Sequence, residues 1–157
     1  MKIKLIVVGK TNSKFLIEGE NEYENRLNHY CNFEQLTISD IKKGNKLSIN
    51  DLKNKEENLI LSKIDKSDLI ILLDDKGKQY SSVDFSKFLQ NKMLNSIKRL
   101  VFIVGGAYGF SDEVYARANS KISLSKMTFS HQMIRLIFKE QLYRAYTILK
   151  GEKYHHE

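Results

Sequence analysis

The stretch Leu100-Val-Phe-Ile-Val-Gly-Gly-Ala-Tyr-Gly-Phe-Ser111 decides the architecture. Its first five residues are apolar without a break, which suits a strand covered on both faces, as in a parallel sheet. Gly105, Gly106 and Gly109 follow at once, and Ser111 stands where a helix would be capped. A strand that ends in a tight turn and runs into a helix is the building unit of α/β folds. Glycines there permit sharp turning and close approach of a ligand to the backbone. Two readings of the turn stay open. It closes a strand onto a helix, or it holds a nucleotide-like cofactor at the carboxyl ends of the strands. The spacing is not G-x-G-x-x-G, so the motif marks a site without naming its ligand.

The same unit repeats outward in both directions. Strands are expected at Ile3–Val8, Phe33–Ile38, Asp68–Leu73, Leu100–Val104 and Ile122–Leu124. Helical patterns lie near 14–30, 49–64, 82–95, 112–119 and 130–149. This alternation predicts one α/β domain, residues 1–157, with a mostly parallel sheet flanked by helices. The polar, Lys-rich stretch Ile41–Asn50 reads as a mobile loop. In the last helix, Ile134, Ile137, Phe138, Leu142, Ala145, Ile148 and Leu149 form one apolar stripe. Thr128 or Ser130 is expected to cap its start and Gly151 to end it. His131, Arg135, Lys139, Glu140 and Arg144 fall on other faces, with Glu140 and Arg144 spaced for a solvated ion pair.

No apolar run approaches the ~20 residues that cross a bilayer. The start Met1–Val8 is too short for a signal peptide and reads as a strand, so a cytoplasmic protein is expected. The single cysteine, Cys31, excludes an internal disulfide and a cysteine-based zinc cluster, and reads as a half-buried side chain. A formal net charge of +7 admits an anionic partner such as nucleic acid. That signal is weakened because 21 of the 26 basic residues are Lys, in a chain also rich in Asn and Ile. Residues 121–157 hold seven basic residues against three Glu, so part of the excess sits at the C-terminal end.

Gly9-Lys-Thr11 resembles the end of a phosphate-binding P-loop, but Lys4 stands where the first glycine belongs, which excludes a P-loop ATPase or GTPase. Leu73-Asp-Asp-Lys-Gly-Lys78 leaves a buried strand. No carboxylate or His at metal-ligand spacing accompanies Asp74 and Asp75, so a solvated loop and no metal are expected. Ile122–Gln132 alternates small hydroxyl residues with apolar ones. Such a loop can line an apolar pocket while offering backbone donors and acceptors, and it feeds a helix start that favours an anion.

Four blocks taken together are specific: Leu73-Asp-Asp-Lys-Gly-Lys78, Phe102-Ile-Val-Gly-Gly-Ala-Tyr-Gly-Phe110, Leu124-Ser-Lys-Met-Thr-Phe-Ser-His-Gln132, and Glu140-Gln-Leu-Tyr-Arg-Ala-Tyr146 with Gly151 and Tyr154-His155. In this order and at these separations the whole chain resembles the ribosomal RNA large subunit methyltransferase H family, a branch of the SPOUT methyltransferases. One departure is Ser130, where the family has proline. The resemblance implies a parallel α/β sheet with a deep trefoil knot in the C-terminal half, an exception to ordinary connection rules. It implies S-adenosylmethionine held bent in that knot, against Leu73, Gly105, Leu124, Ser125, Lys126, Met127, Thr128 and Phe129. It also implies a homodimer, with each site completed near the partner subunit, that methylates N3 of a pseudouridine in large-subunit rRNA. On that footing Arg144 is placed near the base edge or a phosphate. Tyr154 and His155 reach the site from the tail, His155 as a candidate base because imidazole titrates near neutrality. His131 contacts phosphate or hydrogen-bonds the loop. The chain carries no appended RNA-binding module, which fits an assembled ribosome as substrate. Two rival readings share parts of the pattern: a doubly wound nucleotide- or flavin-binding oxidoreductase, and a non-enzymatic ribosome-binding factor.

Overall fold

The computed structural model describes residues 1–39, 41, 48–106 and 108–156. Five strands, β1 (Lys2–Val8), β2 (Asn32–Ile38), β3 (Leu69–Gln79), β4 (Arg99–Val104) and β5 (Ser120–Ser123), form one sheet in the order β2-β1-β4-β3-β5, with every pairing parallel. Helices α1 (Lys14–Leu27), α3 (Ser82–Leu94) and α5 (Met133–Lys150) pack together on one face. Helices α2 (Ile49–Leu61) and α4 (Asp112–Arg117) meet on the other. Alternate residues of each central strand feed opposite cores. Phe102 and Val104 join Phe85, Phe138 and Leu142 on the α5 side. Val101 and Ile103 join Ile60, Phe110 and Val114 on the α2 side. Two-sided burial is why β3 and β4 begin as unbroken apolar runs.

Two edges differ from the sequence expectation. β5 ends at Ser123, leaving Leu124 to the following loop. β3 does not stop at Leu73. Leu73 pairs with Ile122, the chain bulges, and Lys78 pairs with the same Ile122. Gly77 makes this possible, since a Cβ there would lie 2.5 Å from the Ile122 carbonyl carbon. The stretch after Leu73, expected as a solvated loop, therefore presses on β5. Of the expected mobile loop, 42–47 lie outside the described residues, and Ser48–Asn50 start α2. Ser48 and Asp51 cap that start reciprocally.

α5 starts later than expected, at Met133, with Gln132 in the cap position and no side-chain cap bond; Ser130 Oγ, just ahead of it, accepts from the Met133 N–H at 3.1 Å. It ends at Gly151, in the left-handed region at φ +69°, where the Glu152 N–H reaches the Thr147 carbonyl. Its buried face is not the expected stripe. Arg135 and Lys139 are fully buried beside Phe138, Leu142 and Ala145, while Ile134, Ile137, Ile148 and Leu149 are half-buried. The Arg135 guanidinium donates to the carbonyls of Val8, Gly9 and His131 and to Thr11 Oγ1, at 2.7–3.0 Å. Lys139 Nζ donates to Glu20 (3.2 Å) and Glu24 (3.0 Å). Buried cations persist only when paired in this way, and hydrophobic periodicity cannot see the partners. Two of the seven C-terminal cations are thus internal, Lys139 paired with carboxylates and Arg135 held by neutral oxygens, which lowers the surface charge inferred from composition.

Candidate active site

A cavity of about 680 Å³ opens at the carboxyl ends of β3, β4 and β5. The three segments expected to hold a cofactor converge on it. Leu73, Gly105, Leu124, Ser125, Met127, Thr128 and Phe129 all line its wall. Lys126 does not; its side chain is exposed to solvent. Gly105 sits against the Phe110 ring, which a Cβ would approach to 3.1 Å, so the backbone itself forms this part of the wall. Hydroxyls fold the loop after β5. Ser123 Oγ donates to the Ser125 carbonyl at 2.7 Å, and Ser125 Oγ accepts from the Met127 N–H at 2.9 Å. Met127 is left 77 % exposed at the mouth. His131 lines the cavity where the loop enters α5, and its carbonyl is held by Arg135.

Several lining groups escaped the sequence reading. Asp74 accepts from the Tyr115 hydroxyl and, at 2.8 Å, from the Lys76 N–H. Burial pushes the Asp74 carboxyl up, but these hydrogen bonds outweigh it and hold the group below the ordinary carboxylate range. Burial and the Asp74 carboxylate push the Tyr115 phenol well up, so it stays a donor. Asp74, Asp75 and Asp112 face Lys53 and Lys76 around the cavity, a lining that leans negative. The position of Asp74 directly after a buried strand was the available signal. Nothing in the sequence linked Tyr115 or Lys53 to it.

The other three expected residues gather elsewhere. Glu140 and Arg144 are not a solvated pair. Arg144 Nε and Nη2 donate to Glu140 Oε1 at 3.0 and 2.6 Å, and both side chains are largely covered. The tail folds back over them. The Tyr154 hydroxyl meets Glu140 Oε1 and the Tyr23 hydroxyl, each at 3.1 Å. Arg144 lies over the Tyr154 ring, its Cζ 4.7 Å from the centroid. Burial, Tyr23 and Glu140 all raise the Tyr154 phenol. His155 Nδ1 lies 3.4 Å from Arg144 Nη1. A guanidinium only donates, so in this contact Nδ1 accepts and a neutral ring carries its proton on Nε2. Burial opposes the charge on Arg144, but Glu140 more than offsets this and raises its pKa.

The two clusters lie at different levels of α5, one at its first turn and the other in its C-terminal half. Ile134 lines the cavity, and Arg144 follows ten residues later, a helical rise of ~15 Å. Among the described residues, Arg144, Tyr154 and His155 do not border the cavity of their own protomer.

The comparisons agree with one another. A family model described as Predicted SPOUT methyltransferase matches residues 1–155. A protein of Christiangramia forsetii named ribosomal RNA large subunit methyltransferase H is 57% identical over 156 residues, covering 99% of both chains. One of the same name from Parabacteroides distasonis is 58% identical over 157 residues, covering 100% of both. A solved structure of a probable methylase family protein from Haemophilus influenzae superposes with a TM-score of 0.56 at 10% identity, over 99% of this chain and 70% of that one. This last likeness supports the fold alone.

Proposed function

The chain belongs to the SPOUT methyltransferase family, and from that premise we propose that it transfers a methyl group from S-adenosylmethionine to N3 of a pseudouridine in large-subunit ribosomal RNA. We read all 157 residues as one domain with the family's knotted threading, working in the cytoplasm as a homodimer on the assembled ribosome. The carrying observation is the convergence of Leu73, Gly105 and the loop from Leu124 to Phe129 on one cavity. Its backbone wall suits an adenosine edge, and its negative lining suits a donor that carries a sulfonium and an ammonium.

S-adenosylmethionine supplies a methyl group on a cationic sulfur, open to in-line displacement by a nitrogen lone pair. The protein's part is to hold the acceptor in line and to favour loss of the weakly acidic N3 proton to solvent water. Arg144 brings a permanent cation to the ring edge, where negative charge develops, and Glu140 fixes its orientation. His155 Nε2–H adds a donor there. Tyr154, kept protonated, braces the guanidinium from its ring face. Along α5, Arg144 stands ~15 Å from the cavity-lining Ile134 of the same chain. A second copy, placing its tail over the first copy's cavity, brings donor and acceptor together, and this favours the homodimer.

The test is methyl transfer from labelled donor to ribosomes that carry or lack the target pseudouridine. Incorporation is expected on ribosomes with the isomerised base and at least tenfold less on those with uridine, the scale set when a site built to hydrogen-bond one base edge meets another. Equal incorporation into both contradicts the proposed substrate. Absence of transfer to either contradicts the activity.

A further inference from the structure

Beside the Arg144 cluster, α1 and α5 carry a belt in which cations alternate with aromatic rings. The Tyr23 and Tyr143 centroids stand 6.0 Å apart, and Arg26 Cζ lies 5.2 Å from one and 5.6 Å from the other. Tyr143 meets Tyr154 edge-on at 4.8 Å, and Arg144 covers the Tyr154 ring. Each of these side chains is only partly covered, the Arg26 side chain remaining 41 % exposed. Glu22 pairs with Arg26 one helical turn away, but both are substantially exposed, so the pair is weak and exchangeable. Lys150 and Lys153 are exposed close by in sequence, on either side of Gly151.

We propose that the Tyr23–Arg26–Tyr143 face is a stacking platform for unpaired rRNA nucleotides that flank the target base. The proposal rests on the function proposed above and says how that substrate is gripped. A methyltransferase that acts on one base of an rRNA has to hold that base out of its helix. Unpaired bases are held by stacking on tyrosine rings and on guanidinium planes, which is what this belt presents. Arg26 lies against two rings at once, which limits its freedom beforehand and lowers the entropic cost of stacking a base on it. The belt runs without a gap into Tyr154 and Arg144, so nucleotides on it are continuous with one at the reacting edge. Lys150 and Lys153 suit the phosphates between them.

Three variants test this: Arg26→Ala, Tyr23→Leu and Tyr23→Phe, each assayed for methyl transfer over a range of ribosome concentrations, for donor binding by calorimetry, and for thermal melting. Arg26→Ala and Tyr23→Leu are expected to raise KM for ribosomes about tenfold, the scale of one lost base-stacking contact. Tyr23→Phe keeps the ring and is expected to keep KM. Donor affinity is expected to stay the same in all three. Wild-type KM in Arg26→Ala overturns the platform while leaving the methyltransferase reading intact; that side chain is exposed enough for the variant to fold. Equal damage in Tyr23→Phe and Tyr23→Leu, falling on turnover rather than KM, also overturns it, because Tyr23 is then a brace for Tyr154. A wild-type chain that fails to methylate ribosomes brings down the function and the platform together.

Discussion

Arg144→Ala is expected to abolish measurable methyl transfer while donor affinity stays within about twofold of wild type. The guanidinium is the permanent cation of the cluster, and it is held in a fixed orientation by two bonds to Glu140 Oε1. A preorganised donor aimed at developing charge is worth ~10²–10³ in rate. Removing this one also leaves the Glu140 carboxylate without its cation, facing the acceptor with the wrong charge. The total loss should therefore reach or exceed that range. Arg144 does not border the donor cavity of its own chain, which is left intact. The melting temperature is expected to fall by some degrees at most, since both partners keep part of their solvent contact. Single-turnover transfer to ribosomes and calorimetry with S-adenosylmethionine separate the two effects. Substantial turnover in the variant removes Arg144 from the reaction. Lost donor binding moves it into the cofactor site.

Gly77→Ala acts at the opposite end of the account. An added Cβ would meet three β5 backbone atoms, Ile122 C, Ile122 N and Ser123 N, at 2.5–2.7 Å. No flexible side chain can yield there, so β5 itself must move off the β3 bulge. Overpacking of this kind costs ~1–3 kcal/mol, and in a chain of this size each kcal/mol lowers the melting temperature by ~2–4 °C. A drop of about 4–10 °C is expected on these scales. β5 leads directly into the loop that lines the cavity, so donor affinity should fall at least tenfold, the equivalent of ~1.4 kcal/mol. Melting and calorimetry read both. A variant with wild-type stability and donor affinity contradicts the tight crossing of β3 on β5.

These two positions also show how far the sequence could be read. The strands and helices were legible because burial on two faces leaves unbroken apolar runs, and because a cap such as Ser111 stands at a helix start. The cavity segments were legible through their motifs, since Gly105 is needed where backbone forms the wall. Lys126 was counted with its neighbours because a motif cannot say which side chain of a loop turns outward. The inner face of α5 was misread. Arg135 and Lys139 look like surface residues until Val8, Gly9, Thr11 and Glu20, more than a hundred residues away, supply their partners. Tyr115 and Tyr23 were missed for the same reason. Their hydroxyls meet Asp74 and Tyr154 across long sequence separations.

The central claim is that the donor cavity of one copy is served by the Arg144, Tyr154 and His155 cluster of another. Mixed dimers test it most directly. Gly105→Val, which fills the donor wall against Phe110, is combined 1:1 with Arg144→Ala under subunit exchange, and native mass spectrometry confirms the mixed species. Each variant alone is expected to be inactive. The mixture should recover about a quarter of wild-type transfer, since half the dimers are mixed and each has one of its two symmetric sites intact. Background activity in a mixture shown to contain the mixed dimer would contradict a site shared between copies.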